Sequence, residues 1–172
     1  MTEKQWIREI QRGRGEYLNC IAEKYYDDIY RFCCYQTGNT EEAYDITQET
    51  FLRFIRNVEH YQSRNLKGYL LTIAANLCRD YFRGRKTESI ADTETLSGSN
   101  VIAEKEAQLT LMDCLGSLAD FQREALLLHY YYGFKIREIA AMTGSNPSTV
   151  KSRIRQGTEK LKRYMDKEGL NG

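Results

Sequence analysis

Three groups of side chains in this sequence have types and spacings that could do chemistry. Asp45 and Glu49 stand four residues apart with Gln48 beside them, and no Lys or Arg falls between Thr40 and Leu52. On a helix the two carboxylates share a face, where like charges repel by about a few tenths of a kcal/mol. A basic partner would offset that repulsion, and a solvated acidic face is the plain alternative. Paired carboxylates can also do acid–base work, but no nucleophile or metal ligands accompany these. The second group is Arg79, Arg83, Arg85 and Lys86, interleaved with Asp80, Tyr81 and Phe82. Basic side chains among aromatics suit a nucleic-acid backbone with stacked bases. Equally, Tyr81 fits a core position, and arginines suit the negative end of a helix. The third group lies between Ser145 and Gly172, where seven basic residues face three acidic ones. There a helix would present Ser148, Thr149, Lys151, Ser152, Arg155 and Gln156 outward, types that reach base edges and phosphates in a major groove.

Other chemistry is poorly supported. The five cysteines form no CxxC pair, and His60 and His129 stand apart without ligand-spaced partners. No zinc cluster, phosphate-cradling GxxxxGK[ST] or GxGxxG motif occurs. Cys33, Cys78 and Cys114 fall in apolar helical patterns, where a free thiol packs as a small hydrophobe. No catalytic, cofactor or metal residue is expected. The first residues, MTEKQWIREIQRGRGE, contain no apolar signal core, and no stretch is apolar enough for a membrane span. A reducing cytoplasm is the expected setting, without membrane insertion.

The elements that must position these groups read as helices throughout. From Gly15 to Gln36, apolar residues recur at Leu18, Ile21, Tyr25, Ile29, Phe32 and Cys33, in steps of three and four. Thr37-Gly38-Asn39 supplies a stop, and Thr40 is expected to cap a helix running to about Val58. After a polar loop, Leu70, Ile73, Leu77 and Tyr81 mark a helix over about 66–85. Residues 87–106 are Ser/Thr/Glu-rich, with five acids and one Lys, and read as a linker. Beyond them the pattern predicts a helix from Phe121 to about Tyr132, a short helix from Ile136 to Met142, a Thr143-Gly144 turn, and a third helix capped by Ser145 or Asn146 with Pro147 in its first turn. Val150, Ile154 and Leu161 form its inner stripe. This is a helix-turn-helix. The fold class is all-α: two small helical domains joined by a flexible linker.

These motifs resemble the sigma factors of bacterial RNA polymerase. AYDITQETFLRFI, residues 43–55, is similar to the region 2.2 signature AxDxxQExFLR. GYLLTIAANLCRDYFRGRK, residues 68–86, resembles regions 2.3 and 2.4, and the stretch from Asp113 to Lys162 resembles region 4. With no room for regions 1.1 and 3, the chain looks like the compact extracytoplasmic-function (ECF) subfamily. The resemblance implies a division into a region 2 domain (1–86), a linker (87–106) and a region 4 domain (107–172).

It also implies roles. Asp45, Gln48, Glu49 and Leu52 would bind core RNA polymerase at the β′ clamp helices, with Phe51 and Ile55 anchoring the same domain or contact. The region 4 domain would sit at the β flap. Tyr61 and Asn76 would help hold unstacked bases of the −10 element, and Arg79, Arg83, Arg85 and Lys86 its phosphates. Thr149, Lys151, Ser152, Arg153, Arg155 and Gln156 would enter the −35 element. The linker would thread the polymerase near its active-site and RNA-exit channels. Promoter DNA is the implied ligand, an anti-sigma factor the implied restraint, and the implied activity is not enzymatic. Ser145, Ala75 and Gln156 depart from common family residues. Because Gln suits adenine where Arg suits guanine, Gln156 bears on −35 preference.

A stand-alone helix-turn-helix regulator would account for residues 121–164 but not for the acidic helix or the basic-aromatic stretch. A small helical enzyme using Asp45 and Glu49 or a cysteine would need a pocket that nothing in the pattern indicates. The net charge of +1 thus reads as segregation, with basic faces for DNA and acidic ones for a protein partner.

Overall fold

Thr2 opens the chain with a reciprocal cap: its hydroxyl accepts from the Gln5 N–H at 3.2 Å, and the Gln5 side chain accepts from the Thr2 N–H at 2.6 Å. The helix it starts, α1 (Glu3–Gln11), has no counterpart in the expectations above. Ile7 and Ile10 are buried on its inner face. Gln11 ties its end to the rest, donating to the Val58 and Tyr61 carbonyls at 2.8 and 3.2 Å. The computed structural model describes residues 1–62, 64–88 and 106–168, so the expected linker lies almost wholly outside the described residues.

Helix α2 (Leu18–Thr37) follows, entered through a 3-10 turn over Gly15–Tyr17. Gly38 ends it where expected, with a left-handed φ of 67° and its N–H on the Cys34 carbonyl. The cap of α3 (Thr40–Asn57) is Asn39, one residue before the expected Thr40. The Asn39 side-chain oxygen accepts from the N–H groups of Glu41 and Glu42 at 3.0 and 3.1 Å. Thr40 already has helical geometry. Helix α4 (Leu66–Glu88) completes the N-terminal domain and runs slightly beyond the expected end. Ile29, Phe32, Phe54, Leu70 and Leu71 have no exposed surface and fill the space between α2, α3 and α4. Cys33 and Cys78 are equally buried there, as expected of packing thiols.

The C-terminal domain is built from α5 (Glu106–Gly116), α6 (Asp120–Leu126), α7 (Ile136–Thr143) and α8 (Pro147–Lys167). The expected single helix over 121–132 is interrupted. From Leu127 to Tyr131 the backbone widens into a π-turn, with the Tyr132 N–H reaching back to the Leu127 carbonyl at 3.0 Å. The chain then turns at Gly133, with φ of 77°, and buries Phe134. The α7–α8 corner follows expectation. Gly144 adopts φ of 65°, Asn146 caps α8, and Pro147 occupies its first turn. Val150 and Ile154 are buried along α8, and Leu161 packs partly against the core. Helix α8 also approaches α6 closely at Gly157, where an added Cβ would stand 3.0 Å from Leu126 Cδ1 and 3.3 Å from Gln122 Cβ.

Every element formed by the described residues is helical, and none is long and apolar enough to cross a membrane. The two domains also touch. Helices α5 and α6 meet α2, and α7 meets α4.

Candidate nucleic-acid interface

Helix α3 sorts its residues cleanly. Ala43, Ile46, Thr47, Thr50 and Phe54 are buried. Two of these are polar, and their hydroxyls donate to carbonyls one turn back: Thr47 to Ala43 at 2.6 Å, Thr50 to Ile46 at 2.8 Å. On the opposite face Asp45, Gln48, Leu52 and Ile55 are exposed, and Leu52 keeps 49% of its surface in solvent. Phe51 leaves this set, because its ring stacks against Tyr26 at 6.0 Å and is half-buried. Glu49 is already paired: its Oε1 accepts from Arg56 at 2.9 Å and Arg53 at 3.3 Å. Hydrogen bonding from Arg56, then Arg53, holds its carboxyl below the usual carboxylate range. The basic offset to the Asp45/Glu49 repulsion thus comes partly from the next turn of the same helix, just past Leu52.

The basic end of α4 is less uniform than its composition implies. Asn76 is exposed, and its Oδ1 accepts from Arg79 Nη1 at 2.9 Å. Arg79 turns away from solvent and forms a fork with Glu124 of α6, Nε to Oε2 at 3.0 Å and Nη2 to Oε1 at 2.7 Å. Arg83 projects outward, its side chain 75% exposed and 3.4 Å from Asp80. Arg85 lies over the Tyr81 ring at 5.5 Å and donates to its hydroxyl at 3.0 Å. Lys86 belongs to α4, but its side chain is outside the described residues. Tyr61 is buried, meeting Phe54 and Tyr69 edge to face at 5.9 and 4.9 Å. In this arrangement its ring offers no open face to a base.

Helix α8 presents the third group. Asn146 Oδ1 accepts from the Thr149 N–H at 3.0 Å, and from the Thr149 and Ser148 hydroxyls at 3.0 and 2.7 Å. The cap therefore orients the hydroxyls of the polar first turn. Lys151, Arg155 and Gln156 are exposed, while Thr149 and Ser152 are half-buried. Arg153 points inward instead, donating to Ser145 Oγ at 3.0 Å and covering the Phe121 ring at 4.6 Å. Ser145 here has a hydrogen-bonding task. Among the described residues no group of three His, Cys, Asp or Glu could hold a metal ion.

Comparison with known proteins adds the family. Residues 21–88 match the Sigma-70 region 2 family, and residues 108–161 match the Sigma-70, region 4 family. The ECF RNA polymerase sigma factor EcfG of Rhodopseudomonas palustris is 32% identical over 140 residues, spanning 77% of this chain and 76% of its own. The ECF RNA polymerase sigma factor SigW of Bacillus subtilis is 29% identical over 182 residues, spanning 96% of this chain and 97% of its own. The ECF RNA polymerase sigma factor BldN of Streptomyces coelicolor is 28% identical over 85% of this chain, which spans only 59% of BldN. Two solved structures share the fold. CnrH, in complex with the cytosolic domain of CnrY, superposes with a TM-score of 0.72 at 20% identity, covering 95% of this chain and 97% of that one. The Bartonella quintana sigma factor RpoE, in complex with the anti-sigma factor NepR, gives 0.68 at 23% identity, covering 86% and 96%. Two sigma regions in the right order, and relatives aligned across both, lead to one conclusion: the chain belongs to the extracytoplasmic-function sigma factors of bacterial RNA polymerase.

Proposed function

We propose that this protein works in the bacterial cytoplasm, binds core RNA polymerase and directs initiation at promoters by reading a −10 and a −35 element. The observation that carries the reading is the α3 face, where Asp45, Gln48, Leu52 and Ile55 stand exposed on a helix whose other side is buried. An acidic face with an apolar centre suits a basic helical partner, here the β′ clamp helices, with Glu49 at its edge. Residues 1–86 act as the region 2 unit. Residues 107–172 act as the region 4 unit at the β flap, and 87–106 connect them.

At the −10 element, Asn76 contacts an unstacked base while Arg83, Arg85 and Lys86 hold phosphates. Arg79 joins them once it leaves Glu124. Tyr61 serves by fixing the loop after α3 through its aromatic cluster. At the −35 element, Thr149, Lys151, Ser152, Arg155 and Gln156 meet bases and phosphates, and Arg153 braces the turn that aims them. Two modest affinities, held at a set spacing by the polymerase, multiply through effective concentration. An anti-sigma factor is the restraining partner, a reading supported by the two structural relatives solved in complexes. The family consists of transcription regulators rather than enzymes.

In vitro transcription with core polymerase, followed by start-site mapping, tests the proposal. Start sites sharing a −10 and a −35 element are expected only when both proteins are present. A footprint formed equally well without polymerase would point to a stand-alone regulator.

A further inference from the structure

Helix α1 carries charge that the two DNA-reading helices do not explain. It precedes residues 21–88, the part of its domain that matches the Sigma-70 region 2 family. Lys4 and Arg8 are exposed and stand four residues apart, with Gln11 one turn further along the same stripe. Like charges at that spacing repel on a helix. The acids of α1 do not offset them. Glu3 accepts from Lys24 at 3.0 Å and from the Tyr25 hydroxyl, and Glu9 pairs with Arg12 at 3.2 Å and Arg14 at 2.7 Å.

The stripe borders a groove of about 770 Å³ between α1 and the loop that follows α3. Helix α1 contributes Lys4, Arg8 and Gln11, and the loop contributes Tyr61, Gln62 and Arg64. Arg64 is exposed, and none of the three cations has an ion pair among the described residues. Glu3, the carboxylate that lines the groove, is the one already held by Lys24 and Tyr25. The groove is firmly built. Thr2 and Gln5 cap α1 reciprocally, Ile7 and Ile10 bury its inner face, and the Gln11 amide bridges the Val58 and Tyr61 carbonyls. Tyr61 is wedged in turn against Phe54 and Tyr69.

We propose that this groove holds the backbone of the separated non-template strand just past the −10 element, with Lys4, Arg8 and Arg64 on its phosphates. This rests on the sigma-factor reading above. Continuity selects that occupant first: the loop enters α4 at Leu66, the helix whose Asn76 and Arg83 face the −10 element. Direction comes second. The far end of α4 leads in chain order to the region 4 domain and the −35 element, which puts the loop and α1 on the side where the strand leaves the −10 element. Size and charge come third. The volume falls among pockets that hold a ligand of nucleotide size, roughly 300–1,000 Å³, so the groove admits one strand and not a duplex. Three unpaired cations supply what a phosphate backbone attracts.

The test uses the full chain with core polymerase on a promoter recovered by start-site mapping. Two forked DNAs are compared, one whose single-stranded non-template arm ends at the −10 element and one whose arm continues past it. The longer arm is expected to bind the wild-type complex more tightly. Arg8→Ala and Arg64→Gln should each lower affinity for the longer arm about tenfold, the worth of one hydrogen bond to a charged group, and leave the shorter arm unaffected. The slope of log affinity against log salt should flatten by about 0.7 for each phosphate released. Arg8→Lys, which keeps the charge, should keep the slope. Both arginines are exposed and lie on different segments, so one variant serves if the other fails to fold. A longer arm that adds nothing to wild type, or as much to both variants, overturns the proposal. So does an equal loss on both DNAs, which would place the cations on a contact elsewhere in the complex. Variants that no longer capture core polymerase before DNA is added would assign the groove to an acidic protein segment and overturn it too. A wild-type chain that neither captures polymerase nor binds the shorter arm fails the sigma-factor reading itself, a result separate from the comparison of the two arms.

Discussion

Asp45 and Glu49 share a face of α3, yet they are not equivalent. Glu49 is held by Arg53 and Arg56, whereas Asp45 is exposed, with no ion pair among the described residues. Asp45 is therefore the carboxylate free to meet a basic partner. Asp45→Arg is expected to abolish core-polymerase capture in a pull-down while leaving the helical circular dichroism unchanged; undiminished capture would remove Asp45 from the docking surface. Gln156 invites a second residue-scale test. It is exposed on α8, and its amide suits adenine, whereas a guanidinium suits guanine. Gln156→Arg should move −35 preference from A toward G at one position, by about 1–3 kcal/mol for a good bidentate pair. Binding selection with polymerase present checks this, and an unaltered preference at every position would show that Gln156 reads no base. The acidic face and the outward polar residues of α8 are legible from spacing alone. The inward turn of Arg79 and Arg153 is not, because each depends on a partner from a distant part of the chain, Glu124 and Phe121.

Among the elements, the corner between α7 and α8 is the most legible, since Gly144, Asn146 and Pro147 each carry a local backbone requirement. The same holds for the Gly38 stop of α2. Helix α1 escapes notice because it is short and its signal is a Thr2/Gln5 capping box ahead of Ile7 and Ile10 rather than a long apolar stripe. The π-turn after α6 escapes for another reason. Its sequence reads as continuous helix, and the widening is set by Phe134 turning into the core beyond Gly133. Gly157 similarly looks like an ordinary helical glycine until the α6–α8 crossing is known. There the space is too small for a branched side chain, and Gln122 Cβ, fixed to its backbone, cannot yield as easily as the Leu126 methyl. Gly157→Val is expected to destabilise the C-terminal domain by about 2 kcal/mol through overpacking. Denaturant unfolding measures it, and a stability equal to wild type would mean that α6 and α8 separate without cost.

At the scale of the whole molecule, near-neutral charge conceals a chain that folds its basic arginines onto its own acids. Glu124, on α6 against Arg79 of α4, couples the contact between the two domains to pH. Burial raises its pKa from the ordinary 4.5, so the closed form holds the Glu124 proton more tightly than an open form in which the group meets water. Its contribution to closure is full below 4.5 and is lost as pH rises through the raised value. Arg79, Arg123 and Arg153 face the carboxyl. Asp120 on Arg123, and Asp28 beside Lys67 and the Tyr132 hydroxyl, also line the seam, and His129 meets the Phe134 carbonyl at its edge. Glu124→Gln separates their titration from that of Glu124. Small-angle scattering of the free wild-type chain should give a smaller radius at about pH 4 than at about pH 8, with the change absent in Glu124→Gln. A wild-type radius independent of pH, or a change that Glu124→Gln retains, would assign the titration to another group and leave Glu124 only its geometric part in the closure.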